Sequence, residues 1–241
     1  MQRPILLFAL ACLLLSLTLT PSRSSARQLS STKGSAAATL EQEVLKEINL
    51  ARTRPAEYAA YLEQLRPMFN GKEYRRPGMP GLLTQEGAPA LEEAISALRA
   101  AKPAPALTLS QGMRSGAFLL VTDQAGTDTT GHKGNDGSFC EQRAQRFGKW
   151  QEPIGENLSY GSDTARERVL TLLIDDGVAN RNHRRRLLDA SFHVAGVACG
   201  DHKMGAMCVI TLAGGFNDGP AKVALPAAKT LAPVPPGAKK F

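Results

Sequence analysis

Apolar residues recur at helical spacing through the first half of the chain. The segment beginning at Leu40 places its apolar residues on one helical face, and Thr39–Gln42 has the sequence of a capping box that would begin the helix. Pro55 follows at a position suited to the first turn of a second helix. The same spacing predicts a helix over residues 91–101 and another after Ser110, which can cap it.

The second half of the chain mixes helical and extended patterns. Ser138 is suited to cap a short helix, and a further helix is expected from Asp163. Residues 155–161 form a short extended segment bounded by glycines. The strand-like runs 192–199 and 207–213 are joined by a polar, glycine-containing stretch, which predicts an antiparallel hairpin.

Glycine and proline mark the main irregular region. Residues 70–89 contain four glycines and three prolines, and this predicts an irregular loop. Loops of this length are often functional. Trp150, the single tryptophan, is expected to pack beside the extended segment that follows it.

The terminal segments predict processing and flexibility around a single domain. Residues 1–26 combine a basic start, an apolar run and a small-residue end, which is typical of a cleaved signal peptide; a retained anchor would need about 20 apolar residues, more than this run contains. Residues 27–39 are expected to be a flexible leader and 218–241 a disordered Pro/Ala/Lys tail. The remaining residues, 40–217, are long enough for one domain with a full core.

The net charge is mildly basic, at +7 for the chain and +5 without residues 1–26, which contain two arginines and no acids. The basic and acidic residues are interspersed, so nucleic-acid binding is not expected. Weak attraction to anionic envelope polymers or lipid head groups remains compatible with this charge. After processing, no segment is expected to cross a membrane.

Three cysteines lie outside the predicted signal peptide. An exported protein meets oxidising conditions, and Cys199 and Cys208 end and begin the two hairpin strands, where a disulfide has the required reach. Cys140 would then be free. The alternative is three buried thiols that act as small apolar side chains.

Two imidazoles and a carboxylate stand in glycine-rich or turn-like strings. They are His132, Glu156 and His183, and they predict one polar site. Such a group could bind a divalent metal, relay protons or form a buried hydrogen-bond network. The arginines that surround His183 could instead hold an anionic group, or form a solvated turn; they are Arg181, Arg184, Arg185 and Arg186.

Several strings together resemble one family, the CAP superfamily or SCP-like extracellular domain, and its bacterial-type branch in particular. The resemblance covers about residues 40–216. It is carried by Ile48–Arg52 with Pro55 and Tyr58-Ala59, by Gly131-His132 and Asp136–Ser138, by Arg143 with Arg146–Gly148, by Gly155–Gly161, and by His183-Arg184. The resemblance implies an α+β fold, an α/β/α sandwich with a central antiparallel sheet flanked by helices.

The same resemblance implies a cleft with a tetrad of two histidines and two acids. Three positions map onto His132, Glu156 and His183, and the second acid is assigned to Asp176, with neighbouring Asp175 as the alternative. If the tetrad holds Zn²⁺ or another divalent metal, His132 and His183 are the expected ligands. Asn182 departs from the glycine that this branch has before its histidine.

The expected function is that of a secreted, monomeric, non-catalytic binding module, metal-linked or not, for a lipid, an envelope polymer or a protein. The alternative is a metal-assisted extracellular hydrolase in which Glu156 is the catalytic residue. The chain has neither a His-Glu-x-x-His helix nor a Gly-x-Ser-x-Gly elbow, so two common hydrolase types gain no support. A purely structural interaction module is the third hypothesis.

Overall fold

The structure is a computed structural model that describes residues 28–161 and 164–220, with side chains from Leu40 onward. The predicted signal peptide and residues 221–241 of the predicted tail lie outside the described residues. Among the described helices, none is both long and apolar enough to cross a membrane.

Seven α-helices and one short 3-10 helix are described. They are α1 (Gln28–Thr53), α2 (Pro55–Glu63), the 3-10 turn Arg66–Met68, α3 (Ala88–Ala100), α4 (Gln111–Gln124), α5 (Cys140–Gln145), α6 (Ala165–Ile174) and α7 (Asn182–Leu188).

Seven strands form two sheets. The strands are β1 (Phe69–Asn70), β2 (Glu73–Tyr74), β3 (Leu82–Leu83), β4 (Thr108–Leu109), β5 (Gly148–Tyr160), β6 (Val194–His202) and β7 (Gly205–Asp218). The main sheet has the order β4-β6-β7-β5, and the other three strands form an antiparallel sheet of the order β1-β2-β3, called the small sheet below.

Helices cover both faces of the main sheet. Side chains of α1, α2, α3, α6 and α7 pack with alternate residues of β6 and β7 in one core. Side chains of α4 pack on the opposite face, against Ala198, Met207 and Val209. This arrangement confirms the expected α+β class with helices flanking a sheet. The sheet is not wholly antiparallel, because the two-residue β4 pairs parallel to β6.

Local sequence signals explain most helix boundaries. Pro55 occupies the first turn of α2, and Ser110 caps α4 by accepting a hydrogen bond from the Met113 backbone N–H. α6 begins with a capping box between Thr164 and Glu167. Ser138, predicted to cap α5, is not its N-cap residue, which is Phe139.

α1 differs from its prediction at the N-terminal end. Its helical backbone begins at Gln28, so the predicted leader is described as helix from that residue and Thr39 is an interior position. Alanines at 36–38 favour continuation of a helix, which accounts for the failure of the capping-box signal. Glu41, part of that signal, pairs instead with Arg114 on α4.

The hairpin and its disulfide are confirmed. β6 and β7 pair antiparallel as far as His202 and Gly205, which leaves a two-residue turn. Cys199 and Cys208 are directly opposite each other and bonded, while Cys140 is free and buried. Backbone pairing aligns the two strands, and the disulfide adds a covalent link at one position of this register.

The small sheet is the main departure from the prediction. Residues 70–89 were expected to form an irregular loop, yet short strands within this region pair in register. Gly87 makes the chain return possible, since its φ is +78° and a Cβ there would lie 2.3 Å from the Gly71 carbonyl oxygen. The small sheet thus has a defined position next to α3.

Candidate functional site

The first of the predicted site residues, His132, forms a pair with Glu156. The His132 Nδ1 lies 3.0 Å from Glu156 Oε1. Glu156 projects from β5 and its side chain is almost fully buried, whereas the His132 side chain is 44% exposed. Because a carboxylate only accepts hydrogen bonds, the imidazole donates through Nδ1 and keeps Nε2 free for another partner.

Glu156 is held by a second, buried partner. The Arg143 guanidinium donates to both carboxylate oxygens at 2.9 and 2.7 Å, and both side chains are almost fully buried. Arg143 also donates to the carbonyl oxygens of His132 and Ser138, and Thr211 Oγ1 lies 3.3 Å from Glu156 Oε2. These contacts fix the segment that carries His132 and offset the carboxylate charge.

His183 forms the second pair, with Asp175. Its Nδ1 lies 2.6 Å from Asp175 Oδ1, and Asp175 Oδ2 accepts hydrogen bonds from the backbone N–H groups of His183 and Arg184. The Asp175 side chain is buried and the His183 side chain is 27% exposed. Here too the hydrogen bond directs Nε2 of the imidazole away from its acid.

Asp176 does not occupy the predicted tetrad position. Asp175 ends α6 with a left-handed φ of +56°, and this turn brings Asp175 rather than Asp176 to His183. Asp176 accepts the backbone N–H groups of Gln85, Glu86 and Gly87 at 2.6 to 3.0 Å. Its role is to hold the chain between the small sheet and α3.

The edge strand β5 contacts both histidine segments. Glu156 lies on the α4 face, opposite Thr211 in the register. The adjacent Asn157 points to the other face, where its Nδ2 donates to the His183 carbonyl oxygen. Each imidazole is paired with its own acid, His132 with Glu156 and His183 with Asp175.

A cavity of about 790 Å³ lies beside β5, and its walls are largely apolar. The small sheet contributes Phe69, Tyr74 and Leu82 to these walls, and β5 contributes Leu158 and Tyr160. The described residues around the cavity include Asp175, Asp176 and His183, but not His132 or Glu156. The cavity therefore meets one of the two histidine–acid pairs.

One face of α6 forms a long wall of this cavity. Four of the five lining positions on α6, Glu167, Leu170, Thr171 and Ile174, recur at three- and four-residue intervals, which is the period of one helical face; the fifth is Leu172. At about 1.5 Å per residue the wall is roughly 10 Å long. An ion pair between Arg76 and Glu167 lies at one end, and the Asp175–His183 pair lies just beyond the other.

Tyr160 connects the cavity with the segment before His132. Its ring lines the cavity, while its hydroxyl accepts from the Gly131 N–H and donates to Gln124 Oε1. His202 lies against this ring and its Nε2 donates to the Thr129 carbonyl oxygen at 2.9 Å. His202 is buried and holds this segment.

The arginines around His183 mostly bind the protein itself. Arg181 pairs with Glu86 and Glu93, Arg184 pairs with Glu93, and Arg186 donates to the Glu156 carbonyl oxygen and to Asn157. Three of the four arginines predicted to hold an anion are therefore engaged within the fold. Arg185 is exposed.

The donor set of this site does not match a zinc centre. A structural or catalytic zinc site brings at least three protein ligands together. In the part of the chain that the structure describes, no group of three or more His, Cys, Asp or Glu side chains is arranged to hold a metal ion. Metal binding by His132 and His183 stays a prediction, which calorimetric titration of Zn²⁺ into wild type and the two His→Ala variants would test.

Sequence reasoning missed one member of the site, Arg143, and named another, Asp175, only as the alternative. Arg143 stands in a string that carried the family resemblance, but nothing in the sequence marks it as the buried partner of Glu156. Asp175 was only the alternative acid, because the backbone turn that selects it is not visible in the residue pattern.

The comparisons with known proteins agree with this architecture. Residues 92–211 match the family model of CAP, the cysteine-rich secretory protein family, and the chain belongs to this family. No curated protein matches the chain.

Two solved structures are similar in part. One is an extracellular protein containing an SCP domain from Bacillus anthracis str. Ames, with 18% identity and a TM-score of 0.36 over 50% of this chain and 37% of that protein. The other is the CAP domain of enterococcal PrgA, with 11% identity and a TM-score of 0.31 over 72% of this chain and 77% of that domain. The chain thus spans little more than a third of the Bacillus protein.

Proposed function

We propose that this CAP domain is a non-catalytic binding protein whose cavity takes an apolar, lipid-like ligand that carries a hydroxyl or similar hydrogen-bond donor. The observation that supports this most directly is the 790 Å³ cavity, whose apolar walls meet the Asp175–His183 pair. Its volume lies in the range of about 300 to 1,000 Å³ that small-molecule sites occupy.

The walls define the apolar part of the ligand. Leu82 of the small sheet, Leu158 of β5, and Leu170 and Ile174 of α6 face the same space, so a ligand that enters it is removed from water on several sides. Such burial contributes roughly 25 cal/mol per Å² of apolar surface. An acyl chain or a fused-ring body along α6 would use the full length of this wall.

His183 defines the polar end. When the imidazole is neutral and its Nδ1–H donates to Asp175, Nε2 is an acceptor, which favours a ligand O–H over an ether or a carboxylate oxygen. Asp175 holds the ring orientation through a carboxylate that is itself fixed by two backbone N–H groups. This pre-orientation reduces the entropy that binding would cost.

The hydrolase alternative gains less support. Glu156, its expected catalytic residue, is buried and bound by Arg143 through both oxygens, so the carboxylate is not placed to accept a proton from water. Burial also raises the pKa of the Cys140 thiol to about 12, with the Glu156 and Glu141 carboxylates as further causes, and this disfavours a cysteine nucleophile.

A long-chain alcohol and its methyl ether test the proposal. Both would be titrated below their solubility limits, with displacement of a polarity-sensitive dye as the readout. Wild type should bind the alcohol about fivefold more tightly than the ether, the value of one neutral hydrogen bond of about 1 kcal/mol. In His183→Ala, checked for folding by circular dichroism, the two ligands should bind equally.

A second pair of variants tests whether the ligand binds inside the cavity. Val178 lines the cavity and is half-buried, so Val178→Trp should block the space and remove binding of both ligands, while Val178→Ala should keep it. Equal binding by wild type, His183→Ala, Val178→Trp and Val178→Ala would show that the ligand does not bind in the cavity. Absence of binding to wild type would refute the proposed function.

We also propose that the domain acts outside the cytoplasm. The predicted signal peptide and the Cys199–Cys208 bridge support this location, because disulfides persist in oxidising compartments. N-terminal sequencing of the protein recovered from the producing cells should begin at Arg27. An intact residue 1 in all of the recovered protein would contradict cleavage.

A further inference from the structure

Exposed apolar side chains gather at the mouth of the cavity. In the described part of the chain, four large apolar side chains are strongly exposed; they are Met79, Leu83, Leu109 and Phe139. Two of them, Met79 at 43% and Leu83 at 78% exposure, also line the cavity. Apolar exposure next to an apolar cavity marks a surface suited to an apolar partner.

A rigid turn presents Met79. The Met79 N–H donates to the Arg76 carbonyl oxygen at 3.1 Å, and Pro77 and Gly78 occupy the two central positions, with a φ of +71° at Gly78. Proline followed by a left-handed glycine is the pattern of a type II turn. The fold therefore keeps this side chain in solvent by a defined conformation.

The aromatic side chains of the small sheet face the cavity rather than the solvent. Phe69 and Tyr74 stack with ring centroids 4.7 Å apart and line the cavity, and Tyr74 pairs with Leu82 in the register. Leu83 follows on the other side of the strand, opposite Glu73. Phe69, Tyr74 and Leu82 thus face the cavity, while Leu83 is strongly exposed and borders the cavity at its rim.

Charge indicates the nature of the partner. Residues 69–83 contain three basic side chains and one acid, Glu73, and Arg76 pairs with Glu167 outside this segment, so three basic groups less two acids leave a net charge of +1. Arg75 pairs with Glu73 and is still 65% exposed. Basic residues beside exposed apolar ones are typical of proteins that bind the surface of an anionic bilayer.

We propose that Lys72, Arg75, Met79 and Leu83 form a docking surface for an anionic lipid bilayer. Met79 and Leu83 enter the boundary between head groups and acyl chains, and the basic side chains face the lipid phosphates. The inference rests on the proposed function. When this surface is bound to a bilayer, an apolar ligand passes between the bilayer and the cavity without crossing water.

Vesicle partitioning tests the docking surface. The mature protein recovered from producing cells would be co-sedimented with vesicles of phosphatidylcholine alone or with phosphatidylglycerol. Wild type should partition at least tenfold more strongly onto the anionic vesicles. The Met79→Ser/Leu83→Ser variant should lose at least tenfold of this partitioning, and Lys72→Glu/Arg75→Glu should lose the preference for anionic lipid.

The control is Leu109→Ser/Phe139→Ser, which removes the other two strongly exposed large apolar side chains of the described residues, neither of which lines the cavity. It should partition within twofold of wild type. Equal partitioning of all variants, or none by wild type, overturns the docking proposal. A wild-type dimer in sedimentation equilibrium that Met79→Ser/Leu83→Ser dissociates would also overturn it, in favour of a second copy on this surface.

The same samples separate this proposal from the proposed function. Binding of the long-chain alcohol in vesicle-free solution should be unchanged in Lys72→Glu/Arg75→Glu, because neither residue lines the cavity. If wild type binds the alcohol but the variants do not differ on vesicles, only the docking surface fails. If wild type fails to bind the alcohol, the cavity function fails, and with it the premise of docking.

Discussion

The sequence made Glu156 a candidate catalytic residue, but its contacts in the fold are those of a structural residue. Its carboxylate is shared by the His132 imidazole and the buried Arg143 guanidinium. Removal of one partner of a buried ion pair leaves the other charge without compensation, and this is far more costly than loss of an exposed pair. The structure therefore assigns Glu156 a large share of local stability.

Glu156→Gln should lower the free energy of unfolding by about 3 kcal/mol or more, because Arg143 keeps its charge in a buried position. Urea denaturation would measure the change. Glu92→Gln is the matched control, since Glu92 pairs with Arg66 through both oxygens on the surface, and it should cost less than about 1 kcal/mol. Similar losses in the two variants would contradict this account of Glu156.

Cys140 should behave as an inert thiol over the neutral range. Burial is the main cause that raises its pKa to about 12, so the thiol stays protonated at pH 7 to 9, where thiolate reagents act. Iodoacetamide should label Cys140 slowly in the folded protein and rapidly in guanidinium chloride, as followed by peptide mass mapping. Rapid labelling of the folded protein at pH 8 would show that the thiol is accessible and reactive.

At the scale of elements, Asp176 connects the small sheet, α6 and α3. It accepts three backbone N–H groups from Gln85 to Gly87, where the chain passes from β3 to α3. Carboxylates that accept backbone hydrogen bonds at such a junction hold two elements in one arrangement. Since the small sheet forms one wall of the cavity, Asp176 acts on the cavity from outside the histidine pair.

Asp176→Ala should loosen the small sheet. Hydrogen exchange should become faster at residues 71–87, and affinity for the long-chain alcohol should fall at least threefold, because one cavity wall is held less firmly. Asp189→Ala is the comparison, since Asp189 also accepts a backbone N–H, from Ser191, at a distance from the small sheet. If both variants exchange like wild type at 71–87, Asp176 does not hold this sheet.

Signals local in sequence predicted the elements best. Ser110 caps α4, Pro55 begins α2, and the Cys199–Cys208 hairpin has the expected partners, because each depends on neighbours or on a short connection. The small sheet was missed because its strands are two residues long and lie among glycines and prolines. Its position is held by long-range contacts, Asp176 with residues 85–87 and Arg76 with Glu167, which a residue pattern does not reveal.

The candidate site, like the elements, was predicted only in part. His132, Glu156 and His183 are all in polar pairs, but the residue pattern does not reveal which acid pairs with which imidazole. The choice of Asp175 over Asp176 depends on one left-handed residue at the end of α6. Buried partners such as Arg143 depend on the packing of α5 against the main sheet.

At the scale of the whole molecule, there are two histidine–acid pairs and one apolar cavity, and the cavity meets the Asp175–His183 pair. The disulfide-linked β6–β7 hairpin and the helices on both faces form the frame, and the small sheet forms one wall of the cavity beside β5. The Glu156–Arg143 ion pair is buried, and neither Glu156 nor His132 is among the described residues that line the cavity. Ligand recognition is therefore proposed at His183 rather than at His132.

A crystal structure of the protein with a bound long-chain alcohol would test this central claim most directly. The account predicts electron density for the alkyl chain along α6 and the hydroxyl oxygen within about 3.2 Å of His183 Nε2, the range of a hydrogen bond. Density for the ligand outside the cavity, or a hydroxyl bound at His132 instead, would contradict it.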